Sequence, residues 1–332
     1  LIEGGVAGTV ELKTASPLMN REDHKLSMNL RGMVNDRADE VSDAEKFGHR
    51  FSVSYQGKFA DDTIGFAAGY ARLYQPSVAT QFVGLAYNGQ KDLDLDGTSE
   101  FISEGFELQH KGGEETRDGM MAVLEWQPND ELSLRADVYY SRFDTEAFAR
   151  GFRVKTLQNG TIFNPVVTDD GAMIGGTVNR SGNDSFLVQT TNDDNTDYDE
   201  VLSAGLNLNW YKGPWTLSAD LSTSEAESDF VNGVAWGLLF EDATADSPVV
   251  EGNVSVAYQL NNLDLPDLGF NQDYTDINKL MLAKWGTYPY QNTDGVDAIR
   301  LGVNFDFDDN PFLVSIEAGV RYSDRHYTND RS

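Results

Sequence analysis

The chain contains no cysteine, which removes disulfide scaffolds, thiolate metal sites and cysteine nucleophiles together. Basic residues are scarce: 25 Lys and Arg stand against 54 Asp and Glu in 332 residues, a formal charge of −29. A surface so acidic repels a phosphate backbone, and nucleic acid is excluded as a partner. It attracts divalent cations instead and keeps long exposed loops solvated. No run approaches the ~18 consecutive apolar residues of a membrane helix, although hydrophobic residues make up 40 % of the chain. The four histidines, His24, His49, His110 and His326, have no metal-ligand spacing among them. No G-x-S-x-G nucleophile elbow occurs, and carboxylates are too numerous for any acid/base pair to stand out. The chain reads as a non-enzyme without cofactor. Neither an initiating Met nor a basic and then apolar leader opens it, so a leader is expected to have been removed.

What is present is alternation. Met120–Ser141 reads as two strands of period 2 joined by the polar turn Gln127-Pro128-Asn129-Asp130-Glu131. In its second arm Leu132, Leu134, Ala136, Val138 and Tyr140 take one face, and Ser133, Arg135, Asp137, Tyr139 and Ser141 the other. Each arm approaches the ~9–11 residues that a tilted strand needs to cross a bilayer. A barrel hides its hydrophobicity from averages, because only alternate residues face lipid. The same pattern recurs at Leu26–Met33, Phe51–Phe59, Ile64–Tyr74, Leu202–Trp210, Trp215–Thr223, Ile299–Phe307 and Phe312–Tyr322, giving nine strands with the two arms above.

The connections sort into two kinds. Ala60–Thr63, Pro128–Asp130, Lys212–Pro214 and Asp308–Pro311 are tight. Val34–Gly48, Gln75–Gly119, Asp144–Glu200 and Glu225–Asp297 are long. Outer-membrane barrels alternate short periplasmic turns with long external loops in this way. Trp126, Trp210 and Trp215, with Phe305, Phe307 and Phe312, lie in the outward phase beside tight turns, as an interfacial girdle requires. Aromatic pairs that staple soluble hairpins are the other reading of the same rings. The expected fold is all-β: a transmembrane antiparallel β-barrel, of which about nine strands are present. Bacterial single-chain barrels have an even strand number, so the 332 residues are expected to be part of a larger barrel.

The opening segment, Leu1–Thr14, is a glycine turn followed by an alternating strand. A phosphate loop would have to open a helix instead. The stretch Ile2–Thr14, followed by Ser16-Pro17-Leu18, resembles the end of the plug domain in TonB-dependent outer-membrane receptors, where a Gly-x-x-Gly-Thr-Val strand and Thr-x-x-Pro lead into the first barrel strand. Gly112–Gly119, Leu124-Glu125-Trp126, Pro128-Asn129-Asp130 and Tyr140–Phe143 are similar to a proteobacterial branch of that family associated with carbohydrate uptake. The resemblance implies that residues 1–17 end a plug domain and that residues 18–332 begin a transmembrane barrel with long extracellular loops. Family barrels have about 22 strands around a plugged lumen. The implied function is TonB-coupled import of a scarce nutrient across the bacterial outer membrane, with oligosaccharide favoured and siderophore-bound iron possible. The implied partners are the TonB complex, reached through a further N-terminal region with signal peptide, TonB box and plug body, and outer-membrane lipid and lipopolysaccharide. A passive porin and a soluble β-rich carbohydrate-binding module are the alternatives.

Three sets of residues are candidates for function. Arg135, Asp137, Asp220, Arg300, Glu317 and Arg321 are inward-facing and would line the lumen and hold the plug. Trp285, Tyr288 and Tyr290 form a ring cluster in the fourth long loop, suited to stacking a sugar ring or a catecholate. Ile277, Leu280, Met281 and Trp285 also have helical spacing, which would make the cluster a packed loop helix. Asp92, Asp94, Asp96 and Gly97 match the start of a calcium loop, but its twelfth position is Ser103 rather than a bidentate carboxylate. No metal site is assigned from the sequence.

Overall fold

A computed structural model describes residues 16–180, 186–307 and 312–331. They contain fifteen strands, two short 3₁₀ turns and no α-helix. In chain order the strands are β1 (His24–Val34), β2 (Phe47–Phe59), β3 (Ile64–Gly84), β4 (Gly89–Lys91), β5 (Glu100–Ile102), β6 (Phe106–Asn129), β7 (Leu132–Lys155), β8 (Thr161–Val167), β9 (Met173–Asn179), β10 (Leu187–Lys212), β11 (Trp215–Leu239), β12 (Ser255–Asn261), β13 (Asp264–Phe270), β14 (Leu280–Asp306) and β15 (Ser315–Arg331).

Nine of these form one antiparallel sheet in the order β1-β2-β3-β6-β7-β10-β11-β14-β15. They are the nine expected from alternation, in sequence order. Among the described residues the sheet is open, with β1 and β15 as its edges, and does not close into a barrel. Of residues 1–17, expected to end a plug domain, residues 1–15 lie outside the described residues, as does the tight connection Asp308–Pro311.

The tight connections have local causes. Gly213 adopts φ +56° at the first central position of the two-residue link between Lys212 and Trp215, as a II′-type hairpin turn requires. The Ala60-Asp61-Asp62 turn holds three consecutive residues at positive φ, where Asp is tolerated better than most side chains. Thr63 closes it by donating from N and Oγ1 to the Ala60 carbonyl.

The long connections differ from expectation. β3 continues to Gly84, β7 to Lys155 and β11 to Leu239, and their partners start correspondingly earlier. β14 alone has 27 residues, about 90 Å along the strand. What remains between the strands is also structured. β8 and β9 come from the β7–β10 connection, and β12 and β13 from the β11–β14 connection. They pair across connections into a four-stranded sheet, β13-β12-β9-β8. This sheet caps the far ends of β6, β7 and β10 over a core of Ile102, Phe106, Val154, Leu157, Met173, Val178, Phe186, Val188, Val254, Val256 and Tyr258. The conventional hydrophobic core therefore sits at the far end, away from the tight turns.

Candidate functional site

Register separates the two faces of the nine-stranded sheet, because directly paired residues share a face. One face carries an apolar belt. On β10 it runs Leu202, Ala204, Leu206, Leu208, Trp210, nine residues from end to end. Laterally, Leu206 pairs with Leu221 and Ala136, Leu124 with Ala136 and Phe66, and Ile299 with Leu221 and Tyr322. These side chains face no second sheet: Leu202, Leu206, Leu221, Leu301 and Val320 are all exposed. Contiguous apolar surface on this scale marks a partner or a membrane.

The belt has two aromatic borders. Phe59, Trp126, Trp210, Trp215, Phe305 and Phe307 lie at the tight-turn end, where Trp215 meets Phe305 edge-on at 4.6 Å between ring centroids. At the other end Tyr70, Met120, Tyr140 and Leu202 form one in-register row. Two residues further along each strand comes a second row, Arg72, Asp118, Arg142 and Glu200. Within it Arg72 Nη1 lies 2.9 Å from Asp118 Oδ2 and Tyr70 Oη donates to Asp118 Oδ1 at 2.5 Å, while Arg142 pairs with Asp144 two residues on at 2.9 Å. The belt thus stops at a line of charge that the upper tyrosines border. Only the lower border was expected from the sequence.

All six residues expected to face inward lie on the opposite face. Four of them share one lateral row that crosses eight strands: Lys58, Gly65, Glu125, Arg135, Asn207, Asp220, Arg300 and Arg321. Asp137 stands two residues along β7 from Arg135, with a carboxylate oxygen 3.2 Å from where a Cβ on Gly205 would sit. Glu317 lies four residues along β15 from Arg321 and 3.7 Å from Arg300. Within the row, Asn207 donates to Asp220 at 2.6 Å and Arg135 to Glu125 at 3.1 Å.

The row also holds the start of the described chain. Glu125 is only 8 % exposed. Its second oxygen accepts from Ser16 Oγ at 2.5 Å and from the Leu18 amide at 3.2 Å. Pro17 is fully buried. Gly65 makes this approach possible, since a Cβ there would come within 2.8 Å of Leu18 Cγ. Ser16–Leu18 is therefore bound on the polar face at the depth of the belt. Glu125 was not singled out from the sequence, although it directly opposes Arg135 in a readable hairpin.

The ring cluster is not in a loop and not on a helix. Trp285, Tyr288 and Tyr290 lie on β14 and pair with Ala235, Asn232 and Phe230 of β11. The strand divides them: Tyr288 and Tyr290 share the polar face, and Trp285, 68 % exposed, points to the other. Tyr290 stacks on Phe230 at 4.7 Å, and Lys284 sits 4.7 Å over the ring of Trp236. Further along the same face Asn292 accepts from Tyr327 Oη at 3.2 Å, and Arg325 forms a two-point pair with Asp294 at 2.6 and 2.8 Å. Phe230 and Trp236 complete a ladder of rings interleaved with amides, which is the chemistry that stacks and hydrogen-bonds a polyhydroxylated ligand. Both continue the period-2 pattern of β11 beyond Thr223, and that continuation was the available signal.

Among the described residues no helix is long and apolar enough to cross a membrane, which leaves strands untested. Comparison with protein-family models, with curated proteins and with solved structures finds no match.

Proposed function

We propose that the nine-stranded sheet is an arc of the wall of an outer-membrane β-barrel, and that the protein is a plugged, TonB-dependent importer of a scarce nutrient, with oligosaccharide favoured. The observation that carries this reading is the two-sidedness of one band of sheet. At the same depth, one face presents exposed Leu, Val and Trp bounded by rows that carry aromatics, and the other a row crossing eight strands with charged residues on six of them. Ionisable groups at membrane depth belong on a wet or protein-filled interior, and the belt belongs in lipid. The edges β1 and β15 then require pairing, because unpaired backbone groups in hydrocarbon cost several kcal/mol each.

The plugged reading is favoured over an open porin by Ser16–Leu18, which lies bound to Glu125 on the polar face. The exposed belt speaks against a soluble module. In this reading ligand meets the ring ladder of β11 and β14 before it reaches the plug. Conductance of the full-length protein in a planar bilayer tests it: a closed barrel is expected, and a large steady ohmic pore would replace the importer with a porin. Release of the native protein into buffer without detergent would overturn the membrane assignment itself.

A further inference from the structure

The residues that the large sheet gives to the cap core, Phe82, Phe106, Phe152, Val154 and Val188, all fall on the belt's face by register. The cap therefore leans against the belt's side of the sheet. The far part of the polar face stays uncovered, with Tyr288 53 % and Tyr327 59 % exposed. This uncovered face carries the ring ladder, and the ladder is long. Its rungs are register pairs: Trp236 with Lys284, Asn232 with Tyr288, Phe230 with Tyr290, Asn292 with Asn329, and Asp294 with Tyr327. From Lys284 to Asp294 they climb ten residues of β14, about 33 Å at the rise of a strand. Rings stand at four of the five rungs. Amides stand beside them, Asn232 donating to Asn195 of β10 and Asn329 to Asn292.

The ionic groups along the ladder are answered locally. Arg325 is paired with Asp294, and Lys284 lies over the Trp236 ring. At the rung of Phe230 and Tyr290, Asp197 flanks one side and Arg331 the other. Among the described residues the ladder therefore gathers no cluster of unopposed cations, which is what holds a carboxylate or phosphate group.

We infer that, given the ladder's proposed role as first contact for ligand, on which this rests, it takes a linear, uncharged glycan laid along β11 and β14 and touched over several sugar units. Rings meet the apolar faces of the sugars, and the amides bond the hydroxyls between them. A compact ligand such as an iron chelate covers one or two adjacent rungs. It does not touch Tyr288 and Tyr327 together, because their levels are six residues apart on β14, about 20 Å.

The test is calorimetry of the full-length protein in detergent against the disaccharides and hexasaccharides of linear malto-, cello-, xylo- and manno-series. Oligogalacturonates of the same lengths and a ferric trihydroxamate are titrated beside them. One neutral series is expected to bind, its hexasaccharide about tenfold more tightly than its disaccharide or better. Tyr288→Ala and Tyr327→Ala, both at exposed side chains, should each weaken the hexasaccharide about tenfold with unchanged circular dichroism. Equal binding at the two lengths, tighter binding of an oligogalacturonate or of the ferric chelate, an effect of only one of the two variants, or no binding across the panel would overturn the linear, uncharged ligand. Any of these with a closed barrel in the planar bilayer leaves the importer standing, whereas a steady ohmic pore removes the importer whatever binds.

Discussion

Arg135 Nη1 lies 3.1 Å from Glu125 Oε1, and the other oxygen of that carboxylate receives both Ser16 Oγ and the Leu18 amide. The arginine thus orients the carboxylate that anchors the leading segment. Arg135→Ala leaves a largely buried carboxylate without its counter-ion and should cost about 1–3 kcal/mol, read as a lower urea midpoint for the protein folded in lipid vesicles. Glu125→Ala should in addition speed hydrogen exchange at the Leu18 amide. Unchanged exchange there would show that Ser16–Leu18 is held by something else.

A charge placed in the belt should be penalised by depth. Leu206→Lys, near the middle, is expected to destabilise the folded protein in lipid by about 2–4 kcal/mol, and the same change at Leu202, beside Glu200, by about 0–1. Equal penalties at the two positions in a vesicle-folding titration would mean that no hydrocarbon gradient runs across the sheet.

Tyr74 lies on the belt face beyond the charged row. Burial, and then donation of its hydroxyl to Glu114, push it up to about 12. An unfolded tyrosine titrates near ~10. The folded state therefore holds this proton more tightly, and the resulting stability is complete below pH ~10 and lost as pH rises through about 12. Absorbance titration of tyrosinate should show one late step that Tyr74→Phe removes. Loss of stability on acidification, assigned to Tyr74 by that variant, would contradict the sign.

The division of the ring cluster predicts unequal roles. With a panel of oligosaccharides as probes, Tyr290→Ala and Phe230→Ala should each weaken binding by about 1–3 kcal/mol if a sugar stacks there, the scale of a lost aromatic contact in a binding site. Trp285→Phe, on the reverse face, should leave binding unchanged. The opposite pattern would move recognition to the outer flank.

These residues also mark how far the sequence could be read. The nine strands of the large sheet, their order and facing, and three tight turns were legible, because alternation is strongest where one face is apolar throughout. The ends of the long strands were not. At Arg72, Arg142 and Glu225 the belt face turns polar while backbone pairing continues, so the loss of apolar phase marked the edge of the belt rather than the end of the strand. Trp285, Tyr288 and Tyr290 were for that reason assigned to a loop. The cap was illegible for another reason: β9 pairs with β12 from a different connection, and no local pattern encodes such pairing.

The row Arg72, Asp118, Arg142 and Glu200 has a mechanical corollary. Because four neighbouring strands change from grease to charge at one level, a wall placed in a membrane as proposed could not sink by a single residue pair without drowning four ionic groups, and could not rise without lifting the tryptophans at its foot out of their layer. In the proposed membrane setting such a sheet would set its own waterline, and a ligand on the ring ladder would be held at a fixed height above the bilayer.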